Sequence, residues 1–131
     1  MTKTISDSGV GSGGTRNIGG NSYYHVALEN EVADLHHKEK GLIFSSCFVA
    51  NQSLITTMGK VFPDMVFISD QKNHASLIEG MRNTSNKRMV FKHNCMEDLE
   101  NKLKSMDKST KKMIIFESVY SMSGGIGKIE Q

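Results

Sequence analysis

Three short apolar runs separated by polar segments constrain the fold of this 131-residue chain more than any other feature. They begin at Met65, Met89 and Met113 and are apolar at odd and even positions alike. Such runs are typical of strands buried in a parallel sheet. Because helix-like segments separate them, the sequence predicts an α/β fold with a mainly parallel sheet flanked by helices. A further buried strand is predicted over Gly41–Ser46.

Four helices are predicted from the spacing of apolar residues and from start and stop signals. The first follows a glycine-rich segment, and its predicted end is set by a glycine. The predicted ranges are 24–40 with a stop at Gly41, 49–61 with a stop before Pro63, 74–82, and a helix near residue 96 capped by Asn94. Helix and strand therefore alternate along most of the chain.

Polar residues follow the predicted strands at the place where an open parallel sheet forms its ligand crevice. They lie at 45–48, 69–70, 73–74 and 118–121. Residues 45–48 precede a helix, where free N–H groups and the positive helix end favour an anion such as a phosphate. An ordinary strand-to-helix turn is the alternative. His74 is likewise either a site residue or a structural histidine, and a single histidine is more often structural.

Other motifs in the sequence do not support a site of their own. Gly9–Gly14 matches G-x-G-x-x-G, but the polar residues before it are not a strand, which argues against a dinucleotide site. The adjacent His36 and His37 point apart on a helix and complete no metal ligand set. Ser121 lacks the G-x-S-x-G elbow of a serine hydrolase.

Composition and charge exclude several classes of partner. The formal net charge is +2, with acids and bases interspersed, so neither nucleic acid nor an anionic membrane surface is an expected partner. No apolar stretch approaches the roughly 20 residues that cross a bilayer, so no membrane insertion is expected. Cys47 and Cys95 are too far apart for a C-x-x-C pair and are predicted to be free thiols.

Five segments in order carry a resemblance to a known enzyme family. They are Gly14–Ile18, Phe44–Asn51, Ser69–Ser76, Lys92–Asn94 and Glu117–Met122. Together they resemble the α-oxoamine synthases, fold-type-I enzymes that use pyridoxal 5′-phosphate (PLP), and most of all the 5-aminolevulinate synthase branch. The resemblance implies part of the large domain of such a transferase, with a glycine-rich substrate loop over 1–22 and a partial PLP-binding domain over 23–131.

For the whole enzyme, the resemblance implies an acyltransferase that condenses glycine with succinyl-CoA. The products are 5-aminolevulinate, coenzyme A and carbon dioxide, at the first step of haem biosynthesis. A homodimer in the mitochondrial matrix is implied, with the bacterial cytoplasm as the alternative location. Two other functions remain open: another α-oxoamine synthase, such as glycine C-acetyltransferase or 8-amino-7-oxononanoate synthase, and a catalytically inactive dimerisation partner.

The resemblance also implies four cofactor-binding residues. The backbone at Cys47 and Phe48 would hold the PLP phosphate, in agreement with the reasoning from the helix start. His74 would stack on the pyridine ring, and Ser121 would contact the cofactor.

Four further residues are implied to bind substrate. Ser69 and Arg88 would line the substrate pocket, and Arg88 stands where the family often has lysine. Thr15 and Asn17 would meet the succinyl end of the acyl-CoA across a dimer interface.

The lysine that forms the Schiff base with PLP has no match in this sequence. In the family it lies beyond the last matched motif, together with the aspartate that pairs with the pyridine nitrogen. PLP chemistry requires both groups. The resemblance therefore implies an internal part of the enzyme that has no catalytic residue of its own and is inactive alone.

Overall fold

The computed structural model describes residues 2–131, which form two compact units. One unit ends at Phe44 and the other begins at Ser45. The predicted division into a substrate loop over 1–22 and a cofactor-binding domain over 23–131 is a functional one and stays a prediction. No helix of residues 2–131 has both the length and the apolar character needed to cross a membrane.

The first unit is helical. Its elements are α1 (Thr2–Ser8), a π-helical turn (Arg16–Gly20) and α2 (Tyr23–Leu35). The second unit alternates helices and strands. Its elements are α3 (Cys47–Val61), β1 (Val66–Asp70), α4 (Ala75–Arg82), β2 (Arg88–Phe91), α5 (Met96–Lys104), β3 (Lys112–Ile115), β4 (Val119–Tyr120) and β5 (Gly125–Ile126).

The main sheet has three parallel strands in the order β2-β1-β3. Asp70 at the end of β1 pairs with Phe91 of β2, and Ser69 pairs with Ile115 of β3. Every residue of β1 is buried. The predicted parallel sheet is therefore confirmed for the runs that begin at Met65, Met89 and Met113. β4 and β5, which were not predicted, form a separate antiparallel hairpin.

Helices cover the two faces of this sheet. Phe67 packs on the α3–α4 side with Ile55 and Met81, whereas Ile68 packs on the α5 side with Phe91. The two helices α3 and α4 approach closely at Gly80, where an added Cβ would lie 2.8 Å from the Cβ of Ile55. Alternate residues of β1 thus supply two small cores.

The predicted strand over Gly41–Ser46 is wrong. Within the described residues this segment pairs with no strand, and Leu42 is 68% exposed. The Ile43 N–H donates instead to Glu29 Oε1, at 2.9 Å. An apolar run becomes a strand only when a neighbouring strand takes its backbone hydrogen bonds, and a side chain takes one of them here.

The predicted end of the first helix is also wrong, because α2 ends at Leu35 rather than near Lys40. The Lys38 N–H donates to the Ala33 carbonyl and the His37 N–H to the Asp34 carbonyl, which is the Schellman pattern. His37 has φ of +52°, a conformation in which glycine is usual. The stop signal was missed because a histidine occupies the glycine position.

The other helix boundaries differ less. α3 begins at Cys47, two residues before the predicted start, and α4 matches its prediction with His74 as the N-cap residue. α5 is capped by Cys95 rather than by Asn94, whose side chain donates instead to the Ile126 carbonyl, at 3.0 Å.

Replacing His37 by glycine should stabilise the protein. Glycine adopts positive φ without the Cβ clash, so we expect His37→Gly to raise the free energy of unfolding by about 1 kcal/mol, measured by urea denaturation. His36→Gly is the matched control, because His36 has φ of −96° and should gain nothing. Equal or opposite effects of the two variants would contradict the strain argument.

Candidate functional site

Polar residues cluster where the three parallel strands end, an edge of the sheet called here the carboxyl edge. Asp70 ends β1, Asn73 and His74 follow it, His93 follows β2, and Glu117 follows β3. Because the strands are parallel, these segments meet at the same edge. The polar residues predicted at the strand ends therefore form a cluster, and the function of this cluster stays a prediction.

The start of α3 presents free N–H groups. Ser46 caps the helix, and its Oγ accepts the Val49 N–H at 3.2 Å. The N–H groups of Cys47 and Phe48 donate to no other group of residues 2–131. The first turn holds no acidic residue, and the helix is 15 residues long. This arrangement of donors at a positive helix end suits an anion.

His74 is held in one orientation at the start of α4. Its Nδ1 accepts the Ser76 N–H at 3.2 Å and lies 2.8 Å from Ser76 Oγ. Its own backbone N–H donates to Glu117 Oε1 at 2.5 Å. A nitrogen that accepts an N–H carries no proton itself, so the neutral ring has its proton on Nε2. The structural interpretation of His74 is thereby confirmed, because it caps α4, and its role as a cofactor-binding residue stays a prediction.

Three of the four predicted cofactor residues lie together. The rings of Phe48 and His74 meet edge to face, with centroids 6.1 Å apart. Asn51 links the two helix starts, since its Nδ2 donates to Ser76 Oγ at 3.0 Å and lies 3.8 Å from Cys47 Sγ. The cluster of Cys47, Phe48 and His74 therefore joins the free N–H groups to an aromatic platform.

Asp70 is a buried charge at the end of β1, only 2% exposed. Its carboxylate accepts the N–H groups of Lys72 and Asn94, at 2.8 and 3.1 Å, and Nδ1 of His93 lies 2.9 Å away. Burial alone would raise the pKa of Asp70, but these hydrogen bonds outweigh it and lower the pKa. The carboxylate thereby ties the ends of β1 and β2 together.

Tyr120 extends this network to the β4–β5 hairpin. Its ring meets that of His93 edge to face at 4.5 Å, and its hydroxyl accepts the Glu117 N–H at 3.3 Å. Burial raises the pKa of Tyr120. Ser121, the fourth predicted cofactor residue, follows in the exposed turn of the hairpin. The contacts of Tyr120 thus fix the base of the turn that carries Ser121.

The predicted substrate residues of the second unit are separated. Ser69 is buried at the carboxyl edge, where its Oγ accepts from Asn73 Nδ2 at 2.9 Å. Asn73 Oδ1 is buried and has no partner in the described part of the chain, so it is free to accept from a polar ligand or water. Arg88 is exposed at the start of β2, opposite Phe67 and three residues before the strand ends. The structure does not bring Arg88 to the carboxyl edge.

Thr15 and Asn17 lie in the first unit, at the π-helical turn. The Thr15 carbonyl accepts the N–H groups of residues 18–20, and both side chains are exposed. Arg16 between them makes a two-pronged ion pair with Glu29. Hydrogen bonds from Arg16 and from the Ile43 N–H lower the pKa of Glu29 to about 2. The ion pair anchors the turn, and the side chains of Thr15 and Asn17 stay exposed to solvent.

Asp70 was predicted only as part of the polar segment 69–70, and four further residues of the carboxyl edge had no predicted role: Asn51, Ser76, His93 and Glu117. Spacing could have indicated one of them, because Asn51 lies four residues after Cys47 on the same helix face. The others meet only through the tertiary fold. No group of three histidine, cysteine or acidic side chains within residues 2–131 could hold a metal ion.

Loss of the Asp70 charge should destabilise the protein in a pH-dependent manner. The folded-state pKa of Asp70 is depressed, so its contribution is present above the unfolded-state pKa and is lost as the pH falls through the folded-state pKa. We expect Asp70→Asn to lower the free energy of unfolding by about 3 kcal/mol at neutral pH, and by less in acid.

Urea denaturation at several pH values measures this effect. Asp98→Asn is the matched control, because Asp98 also accepts a backbone N–H, from Lys92, but on a more exposed side chain. Equal costs for the two variants, or a cost for Asp70→Asn that does not change with pH, would contradict a buried and charged Asp70.

Comparison with known proteins places this geometry in a family. The model of the family "Aminotransferase class I and II" matches residues 1–131. The mitochondrial 5-aminolevulinate synthase of Emericella nidulans is 54% identical over 99% of this chain and 20% of that protein. 5-Aminolevulinate synthase 1 of Cereibacter sphaeroides is 47% identical over 100% of this chain and 32% of that protein. The chain spans a third or less of the length of these two curated relatives.

A solved structure agrees with the sequence relatives. A variant of serine palmitoyltransferase from S. paucimobilis, solved with bound PLP and myriocin, matches with a TM-score of 0.90 and 28% identity over 98% of this chain and 33% of that chain. The predicted α/β class is thereby confirmed, as is the resemblance to 5-aminolevulinate synthases. The match to this family model over the whole sequence shows that the chain belongs to the aminotransferase class I and II family, and the parallel sheet agrees with that assignment.

Proposed function

We propose that this chain is the PLP-binding part of a 5-aminolevulinate synthase. The observation that carries the proposal is the meeting of free N–H groups at the start of α3 with the His74 ring at the carboxyl edge. Sequence identity supports the choice of the 5-aminolevulinate synthase branch over the other α-oxoamine synthases. The two 5-aminolevulinate synthases are 47% and 54% identical, whereas the serine palmitoyltransferase is 28% identical.

The start of α3 fits a phosphate group. Its unoccupied donors are the N–H groups of Cys47 and Phe48, and the Ser46 hydroxyl accepts the Val49 N–H, which leaves its own hydrogen free to donate. The positive end of a 15-residue helix adds an attraction for negative charge. These residues would hold the phosphate of PLP.

The residues beside this helix start fit an aromatic ring. His74 and Phe48 present apolar faces and edges, and the Nε2–H of His74 is a directed donor. Ser121 would supply a hydroxyl from the hairpin turn. When bound, PLP supplies an electron sink for negative charge at the α-carbon of an amino acid. The chain's own part is to anchor the phosphate and to orient the ring.

For the whole enzyme we infer the condensation of glycine with succinyl-CoA. Ser69 and the free acceptor Asn73 Oδ1 lie at the carboxyl edge, where polar parts of a substrate would bind. Thr15 and Asn17 would bind the succinyl carboxylate, supported by their exposed side chains beside the anchored Arg16. Arg88 would attract the anionic acyl-CoA from the exposed start of β2.

The family resemblance supports an inference about assembly, and the name of one relative supports an inference about location. We infer a homodimer in which Thr15 and Asn17 serve the partner's site, and a mitochondrial matrix location, since the Emericella nidulans relative is a mitochondrial enzyme by name. Size-exclusion chromatography with light scattering tests the first inference, and organelle fractionation tests the second.

Removal of the His74 ring should weaken PLP binding. We expect His74→Ala to raise the Kd of the chain for PLP roughly three- to tenfold, the strength of one aromatic contact. Equilibrium dialysis measures the Kd. His36→Ala is the control, because His36 lies at the end of α2 in the other unit. Equal Kd values for His74→Ala and the wild type would leave His74 with its capping role alone.

The 131-residue chain should show no synthase activity by itself, since no lysine in it matches the Schiff-base lysine. The chain is treated with PLP and borohydride, and the modified lysines are mapped by mass spectrometry. We expect scattered, substoichiometric modification of exposed lysines and no 5-aminolevulinate from glycine and succinyl-CoA. Stoichiometric modification of a single lysine together with product formation would refute the expectation.

A further inference from the structure

Ser76 is a fully buried hydroxyl whose hydrogen bonds all lead to the candidate site. The residue is 0% exposed, although it occupies the second position of α4. Burying a hydroxyl costs free energy unless it is hydrogen-bonded. Its side-chain partners are Asn51 on α3 and His74, and neither bond is part of a helix or sheet ladder. The hydroxyl therefore has a role other than completing the hydrogen bonds of a helix or a sheet.

The direction of each hydrogen bond can be assigned. Asn51 Nδ2 donates to Ser76 Oγ at 3.0 Å, so the Ser76 hydroxyl keeps its own hydrogen free. That hydrogen points to His74 Nδ1, 2.8 Å away, which also accepts the Ser76 N–H at 3.2 Å. A proton on Nδ1 would face the Ser76 N–H and would require the Ser76 hydroxyl to turn its hydrogen away. The relay from Asn51 through Ser76 therefore favours the Nε2–H form of the neutral ring.

We propose that Ser76 and Asn51 are positioning residues that lock His74 as an outward-facing Nε2–H donor. The group that His74 faces must then offer an acceptor or a π-face, as a heteroaromatic ring with polar substituents does. That it is PLP rests on the proposed function. The relay also couples the α3 start to the ring, because Asn51 lies one turn after Cys47 on the helix that presents the free N–H groups.

A second hydrogen bond between α3 and α4 provides a control. It distinguishes an effect on the orientation of His74 from an effect on the packing of the two helices. Thr56 Oγ1 donates to the Gly80 carbonyl at 3.2 Å, farther along α3 and α4, and neither residue is among the hydrogen-bond partners of His74 in residues 2–131. Thr56→Val removes this bond with little change in volume. If Ser76 only joined the two helices, Thr56→Val and Ser76→Ala would have the same consequences.

The test is a long-range ¹H–¹⁵N NMR measurement of the histidine rings in the ¹⁵N-labelled 131-residue chain. His74→Gln assigns the ring signals, and the spectra are recorded at slightly alkaline pH. We expect the wild type to hold its proton on Nε2. Ser76→Ala should raise the minor Nδ1–H population about fivefold, the effect of one lost hydrogen bond. Asn51→Ala should raise it about twofold, since it acts through Ser76, and Thr56→Val should leave it unchanged.

An unchanged Nδ1–H population in both Ser76→Ala and Asn51→Ala would overturn the proposal, as would an equal change in Thr56→Val. If Ser76→Ala does not fold, Asn51→Ala decides. A titration of the same variants with PLP extends the test, and a weaker affinity in Ser76→Ala than in Thr56→Val is expected. Failure of the wild type to bind PLP, with the tautomer result intact, would refute the proposed function and leave the positioning roles standing.

Discussion

The burial of β1 between two parallel neighbours is the constraint on which the second unit depends. All its residues are buried, with Phe67 facing the α3–α4 side and Ile68 the α5 side. Both backbone edges of β1 are paired, so its amide groups are satisfied without water. Because both pairings are parallel, the three strands must end together. The location of the polar cluster is thus a consequence of topology.

The last residue of β1 extends this constraint to the loops. Asp70 carries a charge into a buried position, which is tolerable only with several donors around it. Two of those donors are backbone N–H groups, and the third is the His93 ring, whose neighbour Tyr120 belongs to the hairpin. One carboxylate therefore fixes the β1–α4 turn, the β2–α5 turn and the base of the hairpin. Rigid strand-end loops are what a site at the carboxyl edge requires.

Features that depend on a local residue pattern could be predicted from the sequence. Features that depend on contacts with residues distant in the sequence could not. The runs at Met65, Met89 and Met113 are apolar on both faces, and His74 precedes a periodic helix, so the sheet and the α4 start could be predicted. Gly41–Ser46 has the same apolar character, but no strand within residues 2–131 pairs with it. The positive φ of His37 was invisible because the residue type argues against it. Hydrogen bonds such as Ser76 to Asn51 join residues 25 positions apart, and no local pattern reports them.

The two helix starts at the carboxyl edge differ in a way that decides which one can take an anion. At α4, the Ser76 N–H is bound by the His74 ring, and the His74 N–H is bound by the Glu117 carboxylate, whose negative charge opposes a second anion. At α3, Ser46 caps a single N–H, those of Cys47 and Phe48 donate to no group of residues 2–131, and the first turn has no acidic residue. At this edge, the N–H groups at the start of α4 are hydrogen-bonded within the protein, whereas two N–H groups at the start of α3 remain available. Under the proposed function, the phosphate would therefore bind at α3, and α4 would present the His74 ring beside it.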